Sequence, residues 1–215
     1  MRLAELSERS GVSTATIKYY LRERLLPAGH RITATQSEYD EGHLRRLRLI
    51  RALIQVGRMP VSTAREVLAA VEDDSLDQLS RLGVAVEALP HGPEPDESSP
   101  STAVARRTAA ELLRQCGWHF NLEIADSSRA FGMLVAAIAA LHRLGYTCDT
   151  AHLLPYAQQA AQLAVVDLDL VEEFATPAEQ VEAAVALTVL YEPVLLSLRR
   201  LAEAEESNKR YGSGS

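Results

Sequence analysis

Ser13-Thr-Ala-Thr-Ile-Lys-Tyr-Tyr-Leu-Arg-Glu-Arg-Leu-Leu-Pro27 decides how this chain folds. Serine at its head is a good helix cap, and the leucine pair before proline is a good stop. Ile17, Tyr20 or Leu21, and Leu25 recur near helical spacing and read as a buried side, leaving Thr14, Thr16, Lys18 and Arg22 outward. Just upstream, Leu3-Ala-Glu-Leu-Ser-Glu-Arg-Ser-Gly-Val12 reads as a smaller amphipathic helix with Leu3 and Leu6 inward. Gly11 supplies a positive φ for the turn, and Val12 plugs it against the core. A short helix, a glycine turn and a second helix have the form of a helix-turn-helix, whose second helix enters DNA.

Working outward, residues 27–39 are irregular. Pro27 and Gly29 mark a turn, and Arg31-Ile-Thr-Ala-Thr35 suggests a short strand pair, as in a wing. Asp40 caps a helix expected to reach Val56, with Leu44, Leu47, Ile50 and Ile54 inward. Its Arg45, Arg46, Arg48 and Arg51 cannot all face one way, so some pair on a solvated face and others are left for phosphate. A further helix is expected up to Val71, and another over residues 76–89. Four prolines between 90 and 100 read as a linker. Beyond it the pattern is helical: 101–116, 127–144, 149–174 and 177–207, the last kinked or split at Pro193. The expected organisation is a DNA-binding domain over 1–71, a connecting helix over 72–89, the linker, a helical domain over 101–207 and a flexible tail over 208–215. The fold class is all-α with small wing strands: a winged helix-turn-helix followed by a helical bundle.

The bulk numbers agree. The chain has 215 residues, 47% hydrophobic and 24% charged, ordinary values for a globular protein. Two cysteines argue against a disulfide framework and for a reducing compartment. Met1-Arg2 leads straight into a polar amphipathic helix, so no secretory signal is expected, and the alanine-rich 131–144 stretch is too short to span a bilayer. A cytoplasmic protein without membrane contact follows. Net charge is −7, but its distribution is uneven: residues 1–71 carry twelve Lys and Arg against seven Asp and Glu, the remainder ten against twenty-two. A basic first third on an acidic body is a local footprint for DNA.

With these residues laid out, the first seventy resemble the MerR family of transcription regulators. The resemblance rests on Leu3-Ala-Glu-Leu6, Ser10-Gly-Val-Ser13, Thr16-Ile-Lys-Tyr-Tyr20, Leu25-Leu-Pro27, Tyr39-Asp40 and His43-Leu-Arg-Arg-Leu-Arg-Leu-Ile50. It implies binding of double-stranded DNA by a homodimer on an inverted repeat, with RNA polymerase at the promoter as a further partner. Lys18 takes the family's arginine position, giving a point charge where arginine gives a fork. Tyr19 and Tyr20 match the tyrosine pair, one hydroxyl donating to phosphate while the other ring packs inside. Ser13, Thr14 and Ala15, at the start of the helix, are placed for base edges or phosphate oxygens, with Thr16 and Arg22 following. The family's wing text departs to Thr35-Gln36-Ser37, with Arg31 as the replacement charge. Arg58, before the fourth helix, is a further phosphate candidate. The 76–89 helix holds about two heptads, a short seam; the expected dimer therefore draws on the C-terminal helices, among them 177–207.

For the helical body, Trp118, Phe120, Phe131, Met133, Tyr146, Tyr156 and Tyr191 are candidates to line an apolar pocket for a small-molecule effector. The competing reading is plain core, with a body that only dimerises or docks a protein. Cys116, His119, Cys148 and His152 form a weak zinc candidate, since no Cys-x-x-Cys or His-x-x-x-His pair anchors it. No cofactor is called for. A nucleophile elbow, a phosphate-binding glycine loop and a carboxylate pair are missing from the text, so an enzyme is not expected.

Overall fold

The computed structural model describes residues 1–33, 36–73, 75–90 and 92–212. Thr35 of the altered wing text, His91 of the linker and residues 213–215 of the tail lie outside the described residues. Among the described residues the chain is all-α apart from one two-stranded antiparallel sheet. It divides into two compact units, residues 1–88 with 173–215, and residues 89–172.

The first unit begins with α1 (Leu3–Ser10) and α2 (Thr14–Arg22). The wing follows as β1 (His30–Arg31) and β2 (Ser37–Glu38), with His30 opposite Glu38 and Arg31 opposite Ser37. It is anchored at its base by the chain start: the Met1 ammonium donates to the Tyr39 carbonyl at 2.6 Å, and the Tyr39 N–H donates back to Met1 at 2.8 Å. Asp40 caps α3 (Glu41–Arg51), accepting from the His43 N–H, and the His43 ring against it holds its carboxyl below the usual range. The helix expected to run on to Val56 changes pitch instead. Residues Ala52–Val56 form a π-helical turn, and Gly57 closes it. Then come α4 (Val61–Val71) and α5 (Gln78–Glu87), capped by Asp77.

The unit is completed by the far end of the chain, α10 (Pro177–Tyr211), which packs on α5, α3, α4 and the π-turn. Val181 and Val185 of α10 are fully buried beside a core of Leu6, Ile17, Leu25, Leu44, Leu47, Ile50, Leu53 and Val67. Gly57 makes the approach possible: a Cβ there would stand 2.8 Å from Val189 Cγ1 and 2.7 Å from the Leu53 carbonyl. Arg45 reaches Glu179 at 3.1 Å and Glu182 at 3.8 Å, and Gln78 donates to Gln180 at 2.6 Å. The boundaries expected from sequence are corrected accordingly. The segment 177–207 does not belong with 101–174; it belongs with the first helices. Nor does Pro193 split α10, which runs through it and on to Tyr211, past the expected start of the tail. By length and composition α10 could cross a membrane, although its first turns serve as core here.

The second unit contains α6 (Pro100–Gln115), a short α7 (His119–Glu123) not foreseen in the sequence, α8 (Arg129–Arg143) and α9 (Thr150–Glu172). Alanines let α6 and α8 approach closely. Ala105 and Ala109 meet Phe131, Val135, Ile138 and Ala139, with Leu113 and Cys148 closing the cluster. By contrast, α9 leaves Leu163, Val165, Val166 and Leu168 exposed.

Candidate nucleic-acid interface

The turn between α1 and α2 is locked by its own short polar side chains. Gly11 takes φ +66, which only glycine adopts without strain. Ser7 Oγ donates to the Val12 carbonyl at 2.6 Å, and the Val12 N–H donates to Ser10 Oγ at 3.2 Å, while Val12 itself is buried. Ser13 caps α2 by accepting the Thr16 N–H at 3.1 Å; its hydroxyl also lies 2.8 Å from Thr16 Oγ1. Ser13→Ala is expected to cost about 1 kcal/mol, the usual worth of such a cap. A urea unfolding midpoint measures it, and an unchanged midpoint would show that the Ser13 cap adds nothing to stability.

Helix α2 then sorts its side chains. Ile17 and Tyr20 point inward, whereas Thr14, Ala15, Lys18 and Arg22 are exposed together, four or three residues apart on one side. Tyr19 is half-buried at the edge of that face, with the Arg22 guanidinium 5.2 Å from its ring centroid. Of the tyrosine pair it is Tyr20, named among the DNA-binding candidates, whose ring packs inside: it is 5% exposed, and burial pushes its phenol above the ordinary value. Thr16 is half-buried and spent on the cap. Arg31 is exposed on β1. Arg58 is exposed too, in the left-handed region at φ +50, just beyond the π-turn.

What holds this face in place is a set of arginines paired with carbonyls and carboxylates of other elements. Arg51 Nη1 donates to the Ser10 carbonyl at 2.9 Å, tying α3 to the turn before α2. Arg65 of α4 donates to the Glu23 carbonyl at 2.9 Å and pairs with the Glu23 carboxylate at 3.2 Å, at the other end of α2. Arg46 is buried: its Nε donates to the Leu25 carbonyl at 3.0 Å, its Nη atoms reach the Leu68 carbonyl, and Glu72 lies 3.0 Å away. Arg9 forms a two-pronged pair with Glu41, at 2.6 and 3.0 Å. Much of the basic excess in residues 1–71 is therefore internal bracing. Lys18, Arg24, Arg48 and Arg58 are exposed, as is Arg22, whose guanidinium lies 3.5 Å from the Glu23 carboxylate. Only neighbouring carbonyls and carboxylates distinguish the braces, and those meet across the fold, so no local text could have found them.

The aromatic effector candidates do not converge. Phe131 is in the core of the second unit with Trp118 packed against it, whereas Phe120, Tyr146 and Tyr156 are exposed and Tyr191 lies on α10 in the first unit. Three cavities in the second unit have volumes of about 360, 440 and 460 Å³. The first two flank the proline-rich 92–97 segment over α8 and include Met133; the third is lined in part by Tyr146, His142 and Cys148. The zinc candidate is corrected as well. No group of three or more metal-ligating side chains forms among the described residues. Cys148 is buried, with its thiol pushed up by burial, and His152 is occupied at 2.7 Å with Asp149 in the cap of α9.

Residues 1–71 match the family model described as MerR HTH family regulatory protein. Among solved structures, the crystal structure of the "putative transcriptional regulator SCO5550" from Streptomyces coelicolor A3(2) matches with 52% sequence identity and a TM-score of 0.85, over 100% of both chains. No curated protein matches.

Proposed function

Since this chain belongs to the MerR family of helix-turn-helix regulatory proteins, and is thereby a DNA-binding regulator, we propose that it acts in the cytoplasm as a homodimer on an inverted repeat of double-stranded DNA, at promoters shared with RNA polymerase. The observation that carries this reading is the braced, exposed face of α2: Thr14, Ala15, Lys18 and Arg22, with Ser13 and Tyr19 at its edges. Helix α2 lies in the major groove, Lys18 meets phosphate or a base edge, and Arg31 and Arg58 add backbone contacts. Its work is binding rather than catalysis.

The second unit is proposed to bind a small effector, a reading supported by its cavities of a few hundred Å³, the size that drug-like ligands occupy. A second reading, in which this unit docks a protein partner only, is favoured by the uncovered Leu163, Val165, Val166 and Leu168 of α9. Thermal shifts across broad ligand classes separate the two, since only the first gives a response.

The test of the DNA reading is binding to the protein's own upstream region. Lys18→Ala is expected to weaken it about tenfold and to lower the salt slope by about one, the signature of one lost phosphate contact. Unchanged affinity and slope would overturn the role of α2, because Lys18 is the charge at the centre of its exposed face.

A further inference from the structure

In the second unit the segment 92–97, Gly-Pro-Glu-Pro-Asp-Glu, lies as a strap along α8. Gly92, Pro93, Glu94 and Pro95 line two cavities at once, of about 360 and 440 Å³, with Met133 common to both. The strap approaches the helix closely. A Cβ on Gly132 would stand 3.7 Å from Pro95 Cδ, and one on Gly92 would stand 3.9 Å from Met133 Cε. It is nevertheless lightly held. Pro93 and Pro95 have no N–H to donate, Pro95 is half-buried, and the other five residues are exposed. Glu97 pins the strap through an ion pair with Arg106 of α6, a partly exposed pair of the kind that is weak in water. Asp96 closes only a local turn, accepting from the Ser98 N–H at 3.0 Å and from Ser98 Oγ at 2.6 Å. Beneath the strap, Gly132, Met133, Ala136, Ala137 and Ala140 share one face of α8 over about 12 Å of its length, and side chains this small leave the space unfilled.

The charges around the strap sort by what carries them. Arg106 on α6 and Arg129 and Arg143 on α8 belong to the helices, whereas Glu94, Asp96 and Glu97 belong to the strap. The one other charge in the lining, Asp126, has its side chain fully exposed and stands 4.0 Å from Arg106. Lifting the strap therefore turns a slightly acidic rim into a basic one, on a body whose residues 72–215 carry ten Lys and Arg against twenty-two Asp and Glu. We propose that the strap is a built-in substitute for the effector, and that the groove binds an elongated apolar molecule ending in a carboxylate. The ligand carboxylate displaces Glu97 from Arg106, and its chain lies along Met133 and the alanines of α8. The strap is the template for this ligand: an extended, partly apolar chain whose carboxylate already meets Arg106. Arg106 keeps a second support when Glu97 leaves, since its guanidinium lies 5.8 Å from the Phe131 ring centroid. An amphipathic cation fits poorly, because Asp126 is the only carboxylate the helices and their loop leave in the lining. Residues 89–97 are also the covalent link from the first unit, so a ligand that lifts the strap frees that link.

The ligand class rests on the effector reading of the second unit, and the test separates the two. Decanoate is titrated calorimetrically into the full chain, with 1-decanol and decyltrimethylammonium as its neutral and cationic counterparts. Decanoate is expected to bind about tenfold more tightly than either. The ion pair then reads out from its two ends with opposite signs. Arg106→Gln should weaken decanoate binding about tenfold, because the ligand loses its cation, whereas Glu97→Gln should tighten it about threefold, because the strap loses its pin. A pair that only supports the fold would move both variants the same way. Far-UV dichroism of both should match the wild type, and the sign of Glu97→Gln decides the matter alone if Arg106→Gln fails to fold. Decanoate binding that is absent from both the wild type and Glu97→Gln, that neither substitution changes, or that 1-decanol equals would overturn the proposal. A response to the cation but not to decanoate would overturn the ligand class and leave the effector reading standing. Silence towards all three probes and across broad ligand classes would remove both.

Discussion

Val185→Asp should destabilise the DNA-binding unit by about 4 kcal/mol or more, although it lies more than a hundred residues beyond α2. Val185 is fully buried, in the part of α10 that packs on α3, α4, α5 and the π-turn. The arginines near this part of α10, Arg45 and Arg46, are already paired with Glu179, Glu182 and Glu72. An aspartate there must either hold an unpaired charge in an apolar site or take up a proton, and both are costly. A urea titration that follows unfolding and DNA retention together reads the effect, and the two should fail at the same denaturant concentration. Val165→Asp is the control: that side chain is 60% exposed on α9, so its change should be near zero. If Val185→Asp left both midpoints unmoved, α10 would be an accessory rather than part of the DNA-binding core. The same logic applies to truncation. A fragment ending at residue 92 would expose the face that α10 covers, so its weak association would report lost packing as much as lost dimer contacts.

Arg46→Met carries the second large effect, about 3 kcal/mol. Methionine keeps the apolar volume, but the carbonyls of Leu25 and Leu68 lose their charged donor in a site where Arg46 is 4% exposed. Burial pulls the Arg46 guanidinium down from its ordinary value, while Glu72 and Glu182 oppose the shift. It stays protonated, because guanidinium does not titrate in this range. Arg46→Lys should not restore stability, since one ammonium cannot serve two carbonyls and a carboxylate from different elements. Calorimetric midpoints of the two variants decide the matter: a lysine variant as stable as the wild type would mean that only the charge matters, not the fork. The segment after α2 is fastened through Leu25, so DNA affinity of Arg46→Met should fall before global unfolding is reached.

How legible was this in the chain? The local parts were legible, because neighbours in sequence make them. Gly11 at φ +66, Ser13 as the cap, Ile17 on the inner face, Asp40 before α3, and Thr176-Pro177 opening α10 are each decided within a turn of helix. Of the outward set on α2, Thr14, Lys18 and Arg22 followed from the same spacing, whereas Thr16 is half-buried against the Ser13 cap. Tyr20 was ambiguous, because helical spacing alone gives either Tyr20 or Leu21 the inner position; packing against the core chose Tyr20. The π-turn at Ala52–Val56 was not legible, as nothing in Ala-Leu-Ile-Gln-Val differs from ordinary helix.

Sequence by itself thus determined the all-α class, the helix-turn-helix with its wing, and the family, because caps, turns and amphipathic spacing act over a few residues. Only the tertiary structure decided which arginines are braces and which stay exposed, since a carbonyl such as that of Leu25 becomes Arg46's partner across 21 residues. It alone decided that the chain's last long helix closes the core of its first domain. Valine at 181, 185 and 189 says that one face of α10 is buried, but not against what. Hydrophobic burial has no direction or address; the partner is fixed by which surfaces remain after every local element has formed.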